Sequence, residues 1–211
     1  CGKYGNQVQT LLKKAAALDI RVICPLHGPV LKENLGHYIG LYDTWSKYDV
    51  ETEGVLVAYA SIHGGTAVAA HKMAEILRAK GAPKVTVTDL CRDDMAEAIE
   101  DAFRMGKLVV AEASYDADVF PPMHDFLHHL LIKAYQRRRV GIIENGSWAP
   151  CAGKVMHGML SQMKDIEIVE PMVTIRSRMK QADIPALEAL AVLLLLGGPD
   201  GGPNGGLVHM I

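Results

Sequence analysis

Three short segments carry the residue types with which this chain could do chemistry. The first, Ser61-Ile62-His63-Gly64-Gly65-Thr66, combines two hydroxyls with two glycines. Gly64 and Gly65 let the backbone close on an anion, while Ser61 and Thr66 donate hydrogen bonds that need no counter-charge. No lysine follows, as it would in a nucleoside-triphosphate loop. The segment therefore reads as a cradle for a phosphate monoester, or as a tight turn that serves packing alone. His63 is a hydrogen-bonding loop residue or a proton donor.

The second segment is Ser114-Tyr115-Asp116-Ala117-Asp118-Val119-Phe120-Pro121-Pro122. Its backbone amides and Tyr115 could bracket a flat ring, and Asp116 or Asp118 would discourage extra negative charge on that ring. The same residues also read as a plain helix entry, with Asp caps and Pro in the first turn. The third segment, Asn145-Gly146-Ser147-Trp148-Ala149-Pro150-Cys151-Ala152-Gly153, sets a Trp among turn residues. There it is a stacking wall, worth about 1 kcal/mol beyond burial, or an interface anchor. Cys151 opens a helix and reads as a packing or edge contact before a redox thiol. One ligand with a phosphate at one end and a flavin ring at the other, FMN, would use all three segments.

The elements that must position them follow from periodicity. Between Gly54 and Ala191, short β-branched runs alternate with amphipathic helical segments, as in a parallel sheet covered on both faces. Five strands are expected: Val55 to Tyr59, Val85 to Thr88, Leu108 to Ala113, Val140 to Glu144, and Ile166 to Ile175, the last interrupted at Pro171. Helical faces run through Met95, Ile99, Ala102 and Phe103, and through Met123, Phe126, Leu127, Leu130, Leu131 and Ala134. A Met-rich face follows at Val155, Met156, Met159, Leu160 and Met163, and a last helix at Ile184, Leu187, Ala191 and Leu194, opened by Pro185. Right-handed crossovers favour an α/β doubly wound, flavodoxin-like five-stranded sheet of order 2-1-3-4-5. Its ligand crevice lies at the strand carboxyl ends, where the three segments follow strands one, three and four.

Composition excludes several classes. The chain has 211 residues, 49% of them hydrophobic, with 22 Lys and Arg against 24 Asp and Glu, a net charge of −2. Mean hydropathy is +0.11. No basic block suits a nucleic-acid backbone. The one basic run, Arg137-Arg138-Arg139, follows a helical pattern and precedes a strand, where cations meet free carbonyls and the negative dipole end. Four scattered cysteines, Cys1, Cys24, Cys91 and Cys151, suggest neither a disulfide framework nor a zinc site and fit a reducing cytoplasm. No apolar run reaches the roughly 18 residues of a membrane span, and the first ten residues have no initiator Met and no signal pattern.

In combination and order, the motifs resemble the carboxyl-terminal part of the flavodiiron proteins, over Gln7 to Ala191. The resemblance rests on Ser61 to Thr66, on Tyr115 to Pro122 with its Val119-Phe120-Pro121, and on Glu144-Asn145-Gly146-Ser147-Trp148-Ala149-Pro150. It implies that FMN contacts Ser61, Ile62, His63, Gly64, Gly65, Thr66, Ser114, Tyr115, Asp116, Asn145, Gly146, Ser147, Trp148 and Cys151, with no side chain acting as nucleophile or base. Ile23-Cys24-Pro25-Leu26-His27-Gly28-Pro29 resembles the end of that family's lactamase-like di-iron domain, with His27 at its last metal-ligand position. The family's earlier His, Glu and Asp ligands have no counterpart in this chain.

Asn34 to Ser46 resembles the helix joining the two family domains, with Leu35, Tyr38, Ile39 and Tyr42 as an apolar stripe expected to stand exposed. The expected division is a lactamase-like remnant and linker helix at 1–53, an FMN-binding domain at 54–191, and a disordered Gly- and Pro-rich tail at 192–211. The resemblance further implies an iron–sulfur electron donor such as rubredoxin and a head-to-tail homodimer, in a parent that reduces oxygen or nitric oxide. The alternative is a flavin-free interaction or regulatory module on the same fold. It would call for an acidic phospho-acceptor cluster, whereas the first strand ends Tyr59-Ala60-Ser61. A hydrolase lacks its G-x-S-x-G elbow, and a nicotinamide-dependent reductase its second dinucleotide site.

Overall fold

In a computed structural model, which describes residues 2–196, the apolar runs pair into one parallel sheet. Its strands are β1 (Thr52–Tyr59), β2 (Val85–Asp89), β3 (Met105–Tyr115), β5 (Arg138–Asn145) and β6 (Ile166–Ile175), in the order β2-β1-β3-β5-β6. Counted over the parallel strands alone, this is the expected 2-1-3-4-5. A further short strand, β4 (Asp118–Val119), pairs antiparallel with the end of β3. The central strands are buried on both faces, which explains their unbroken hydrophobic runs.

Helices α3 (Gly65–Ala79) and α7 (Ile184–Leu196) cover one face, packing on Val55, Val57, Val109, Ala111 and Ile143. Helices α4 (Met95–Arg104), α5 (Pro121–Ile132) and α6 (Ala152–Leu160) cover the other, over Leu56, Ala58, Leu108, Val110 and Ile142. Met123, Met156 and Met163 are core residues there.

Before the sheet come α1 (Gly5–Ala15) and α2 (Leu35–Ser46). Gln9 of α1 donates to the Asp43 carboxylate at 2.9 Å and to the Ser46 hydroxyl at 2.8 Å, clamping the two helices together. Of the apolar stripe on α2, Leu35, Tyr38 and Ile39 are half-buried and Tyr42 is exposed.

Several boundaries differ from the sequence reading. Strand β6 runs through Pro171, with a register shift against β5 between Gly141 and Ile143 that absorbs the missing amide donor. Ala134 lies beyond α5 in a left-handed conformation instead of on its apolar face. Helix α7 continues past 191 to Leu196 because Leu194 is buried in the core and Arg139 donates to the Leu193 carbonyl at 2.8 Å. Residues 197–211, the greater part of the expected tail, lie outside the described residues.

At the amino edge of the sheet, Arg138 is buried at the start of β5. Its guanidinium donates to the carbonyls of Met105 (2.8 Å), Phe103 (2.6 Å), Tyr48 (2.7 Å) and Asp49 (3.2 Å). One cation thus joins the end of α4, the start of β3 and the α2–β1 linker, and it lies over the Tyr135 ring. Replacing it with the apolar Met would strand these carbonyls in the interior. Arg138→Met is expected to lower stability by about 3 kcal/mol or more in urea denaturation. A loss below about 1 kcal/mol would show that the linker is held by other contacts.

Candidate functional site

The parallel topology brings the loops after β1, β3 and β5 to one edge. In the first, Ser61 is buried and its hydroxyl accepts the Ala67 amide at 3.3 Å, so it braces the first turn of α3. Gly64 has φ +84°, a conformation that L side chains rarely adopt. Among the described residues, the amides of Ile62, His63, Gly64, Gly65 and Thr66 have no acceptor. They converge on the positive end of a 15-residue helix.

Asn145, the last residue of β5, ties this loop to the rest. Its side-chain amide donates to the Ser177 carbonyl at 3.0 Å and to the Thr66 hydroxyl at 3.4 Å. Its buried Oδ1 has no partner among the described residues. Gly65 is required for this approach, because a Cβ there would lie 2.7 Å from the Ser177 carbonyl oxygen.

The second segment is not the open loop expected from its composition. Ser114 and Tyr115 belong to β3, and Asp116 and Ala117, at φ +50° and +59°, form a two-residue hairpin turn into β4. The Asp118 carboxylate accepts the Val119 amide at 2.7 Å. The Ser114 hydroxyl accepts the amides of Cys151 (2.7 Å) and Ala152 (3.1 Å), so it caps α6 and joins the second segment to the third. Tyr115 packs edge-on against Phe120, with ring centroids 5.1 Å apart. In the third segment Trp148 is 89% exposed, and Gly146 lies so close to Pro150 that a Cβ would sit 2.8 Å from its Cα.

The structure therefore brings together Thr66 with Asn145, and Ser114 with Cys151, by direct hydrogen bonds. Ile62, Tyr115 and Trp148 stand as exposed apolar side chains on the segments so joined, and His63, Asp116 and Ser147 are exposed beside them. His27 is apart from all of these. It is exposed on the turn bracketed by the Ile23–Leu31 bridge, and among the described residues no group of three or more His, Cys, Asp or Glu could hold a metal.

Two carboxylates beneath the edge were not among the site residues read from sequence, although Glu144 opens the third motif. Glu112 on β3 and Glu144 on β5 are register partners, and both are buried. Glu144 accepts the Gly153 amide at 2.9 Å and the Thr174 hydroxyl at 2.8 Å. Glu112 accepts the Ala113 amide at 2.5 Å through one oxygen, while the other has no partner among the described residues. Burial pushes its pKa up to about 8, only partly offset by that amide. The available signal was an acidic residue inside the apolar run Leu108 to Ala113.

A cleft of about 550 Å³ at the opposite edge is lined by Lys3, Lys47, Arg137 and Lys164. It lies where α2, α5 and α6 end, so these cations sit against negative helix ends, and Arg137 is paired with Asp49 at 3.0 Å. It is remote from the three loops.

No known family's sequence profile matches the chain. A coenzyme F420H(2) oxidase of Methanothermobacter thermautotrophicus is 33% identical over 121 residues, which are 56% of this chain and 29% of that protein. Among solved structures, rubredoxin:oxygen oxidoreductase of Desulfovibrio gigas superposes with a TM-score of 0.84 at 18% identity, over 92% of this chain and 48% of that one. An archaeal flavodoxin superposes with a TM-score of 0.58 at 16% identity, over 66% of this chain and 94% of its own. The chain is thus a flavodoxin-like domain similar in sequence and fold to flavodiiron proteins, spanning about half of their solved chains and 25–37% of the curated relatives. Among the described residues no helix is long and apolar enough to cross a membrane.

The raised pKa of Glu112 fixes the sign of a pH effect. Folded, the carboxyl keeps its proton up to about pH 8, whereas the unfolded chain releases it near 4.5. The folded state therefore holds the extra proton, and stability falls as pH rises through that window and levels off above it. Glu112→Gln, neutral and of the same shape, is expected to flatten this decline. The variant should gain on the parent by at most about 1.4 kcal/mol per pH unit across the window in urea denaturation. Parallel pH profiles would show Glu112 to be ionised in the folded protein.

Proposed function

We propose that this domain binds one FMN non-covalently at the carboxyl edge of the sheet and passes electrons through it. The observation that carries the reading is the run of five amides opening α3 that have no partner among the described residues, on the edge that also presents Trp148 and Tyr115. Amides and hydroxyls at a helix start suit a phosphate monoester, and the exposed rings suit a flat heteroaromatic group. The likeness to flavodiiron proteins and a flavodoxin supports the same choice.

FMN supplies the electron chemistry when bound, and the chain's own residues bind and orient it. The amides of Ile62 to Thr66, with the Ser61 and Thr66 hydroxyls, would hold the phosphate. Trp148, braced by Gly146 and Pro150, would wall one side of the ring, and Tyr115, stiffened by Phe120, another. Asn145 and Ser114 keep the walls at fixed spacing, while Asp116 and Asp118 disfavour added negative charge and so lower the potential. Gly146, Ser147 and Cys151 shape the rim. No proton transfer is assigned to His63.

An iron–sulfur protein such as rubredoxin as electron donor, a homodimer, a cytoplasmic setting, and oxygen or nitric oxide as final acceptor extend the reading by resemblance. The acceptor chemistry would need a di-iron centre beyond the single His27.

Purified protein is expected to be yellow and to release about one FMN per chain. Trp148→Ala should weaken binding by about 1–3 kcal/mol in a fluorescence titration, from lost stacking and area. Gly65→Ala should weaken it more than about tenfold, since its Cβ must displace the Ser177 carbonyl. Protein that is colourless and leaves the fluorescence of added FMN unquenched would defeat the proposal.

A further inference from the structure

The paired carboxylates beneath the site have no part in the reading so far. Glu112 and Glu144 sit opposite each other on parallel strands about 4.8 Å apart, with their side chains on the face covered by α6. Both oxygens of Glu144 are occupied, one by the Gly153 amide in the first turn of α6. A negative charge is favoured there by the helix end. Gly153 has no room for a Cβ, which would lie 2.8 Å from Glu144 Oε2, so the amide-to-carboxylate contact is built into the packing.

Glu112 has no such support. It is fully buried, and one of its oxygens has no partner among the described residues. The titratable groups facing it are Glu144 and Cys91, the latter in the turn after β2, where desolvation first and then neighbours including Glu112 raise the thiol. Among the described residues neither glutamate is ion-paired with a cation. A charge on Glu112 would sit in the interior with one oxygen unpartnered among the described residues and no cation beside it to compensate.

The consequence reaches the loops through the chain itself. Two residues after Glu112, Ser114 accepts the amides of Cys151 and Ala152, and the next amide in α6, Gly153, is the one on Glu144. Drawing Glu112 toward water must shift Ser114 and loosen the start of α6, which follows the Trp148 loop directly.

We propose that Glu112 is a proton-bearing positioning residue: as a neutral acid it keeps the β3–β4 hairpin and the Trp148 loop locked together, and losing its proton unlocks them and releases FMN. The release of ligand rests on the FMN reading, whereas the lock does not.

Hydrogen exchange of the ligand-free protein tests the lock. Protection factors of the Cys151, Ala152 and Gly153 amides should fall at least about tenfold between pH 7 and 9.5 in the parent and stay level in Glu112→Gln. In parallel, the dissociation constant for FMN should rise by up to about tenfold per pH unit above the Glu112 titration in the parent alone. Any slope common to both proteins belongs to the ligand.

Equal exchange profiles in the two proteins would overturn the proposal. An exchange difference without FMN binding at any pH would leave the lock standing and remove FMN. An exchange difference with identical FMN pH profiles would overturn the coupling to ligand. Should Glu112→Gln not fold, carboxyl-carbon NMR of the parent decides: Glu112 ionised at pH 7 overturns the proposal, and titration in step with lost protection supports it.

Discussion

Because all five long strands run the same way, every strand ends at one edge and the covering helices begin there. Free amides and positive helix ends collect at that edge, and free carbonyls and negative helix ends at the other. The chain answers the two edges with opposite chemistry. At the amino edge Arg138 is buried against the carbonyls of Tyr48, Asp49, Phe103 and Met105, so the accumulated acceptors are met from within. At the carboxyl edge five successive amides opening α3 have no partner among the described residues. An edge saturated by its own side chain is built for stability, and an edge left with open donors is the one on which the FMN proposal rests.

The register of the sheet then decides which side chains share the site. Pairing Ala113 with Asn145 puts Glu112 opposite Glu144 one step deeper and carries Ser114 out to meet α6. Asn145 in turn reaches Thr66 and the Ser177 carbonyl. Three loops distant in sequence are thereby tied by two short side chains, one on each of the neighbouring strands β3 and β5. A slip of β5 by one residue would turn Asn145 and Glu144 each to the other face and separate Glu144 from Glu112.

Much of this was legible in the sequence. The unbroken runs at Val55, Leu108 and Val140 announced doubly covered parallel strands, and the Gly- and Pro-rich punctuation marked the loops. What escaped depends on tertiary partners. Ser114 and Asp118 read as loop residues because turn-forming composition does not show that Asp116 and Ala117 turn a hairpin back onto β3. Arg138 looked like one of three similar cations, and only the convergence of the α4 end and the linker explains its burial. Glu112 lay within an apolar run whose signal described the strand, and a burial cost comes from what surrounds a residue in space. The helical face was read as far as Leu194 while the domain boundary was set at Ala191; the burial of Leu194 and the Arg139 bond to Leu193 settle that conflict by holding Val192 to Leu196 in the helix.

The exposure of Trp148 follows from the same arrangement. A large apolar ring in water loses nothing by being covered, but covering it yields affinity only if the loop bearing it is already ordered. Gly146 closed on Pro150 and the Ser114 bonds to Cys151 and Ala152 restrain that loop from both ends. Tyr115 is restrained in the same way by the hairpin turn and the Phe120 ring. Much of the ordering is therefore complete in the fold itself, so that on the FMN proposal the contact of ring on ring would appear as binding. That advantage lasts only while Ser114 stays in place, and Ser114 is two residues from a buried carboxyl whose neutrality the interior requires. Under the proposed lock, affinity at the surface of this site is conditional on a proton beneath it.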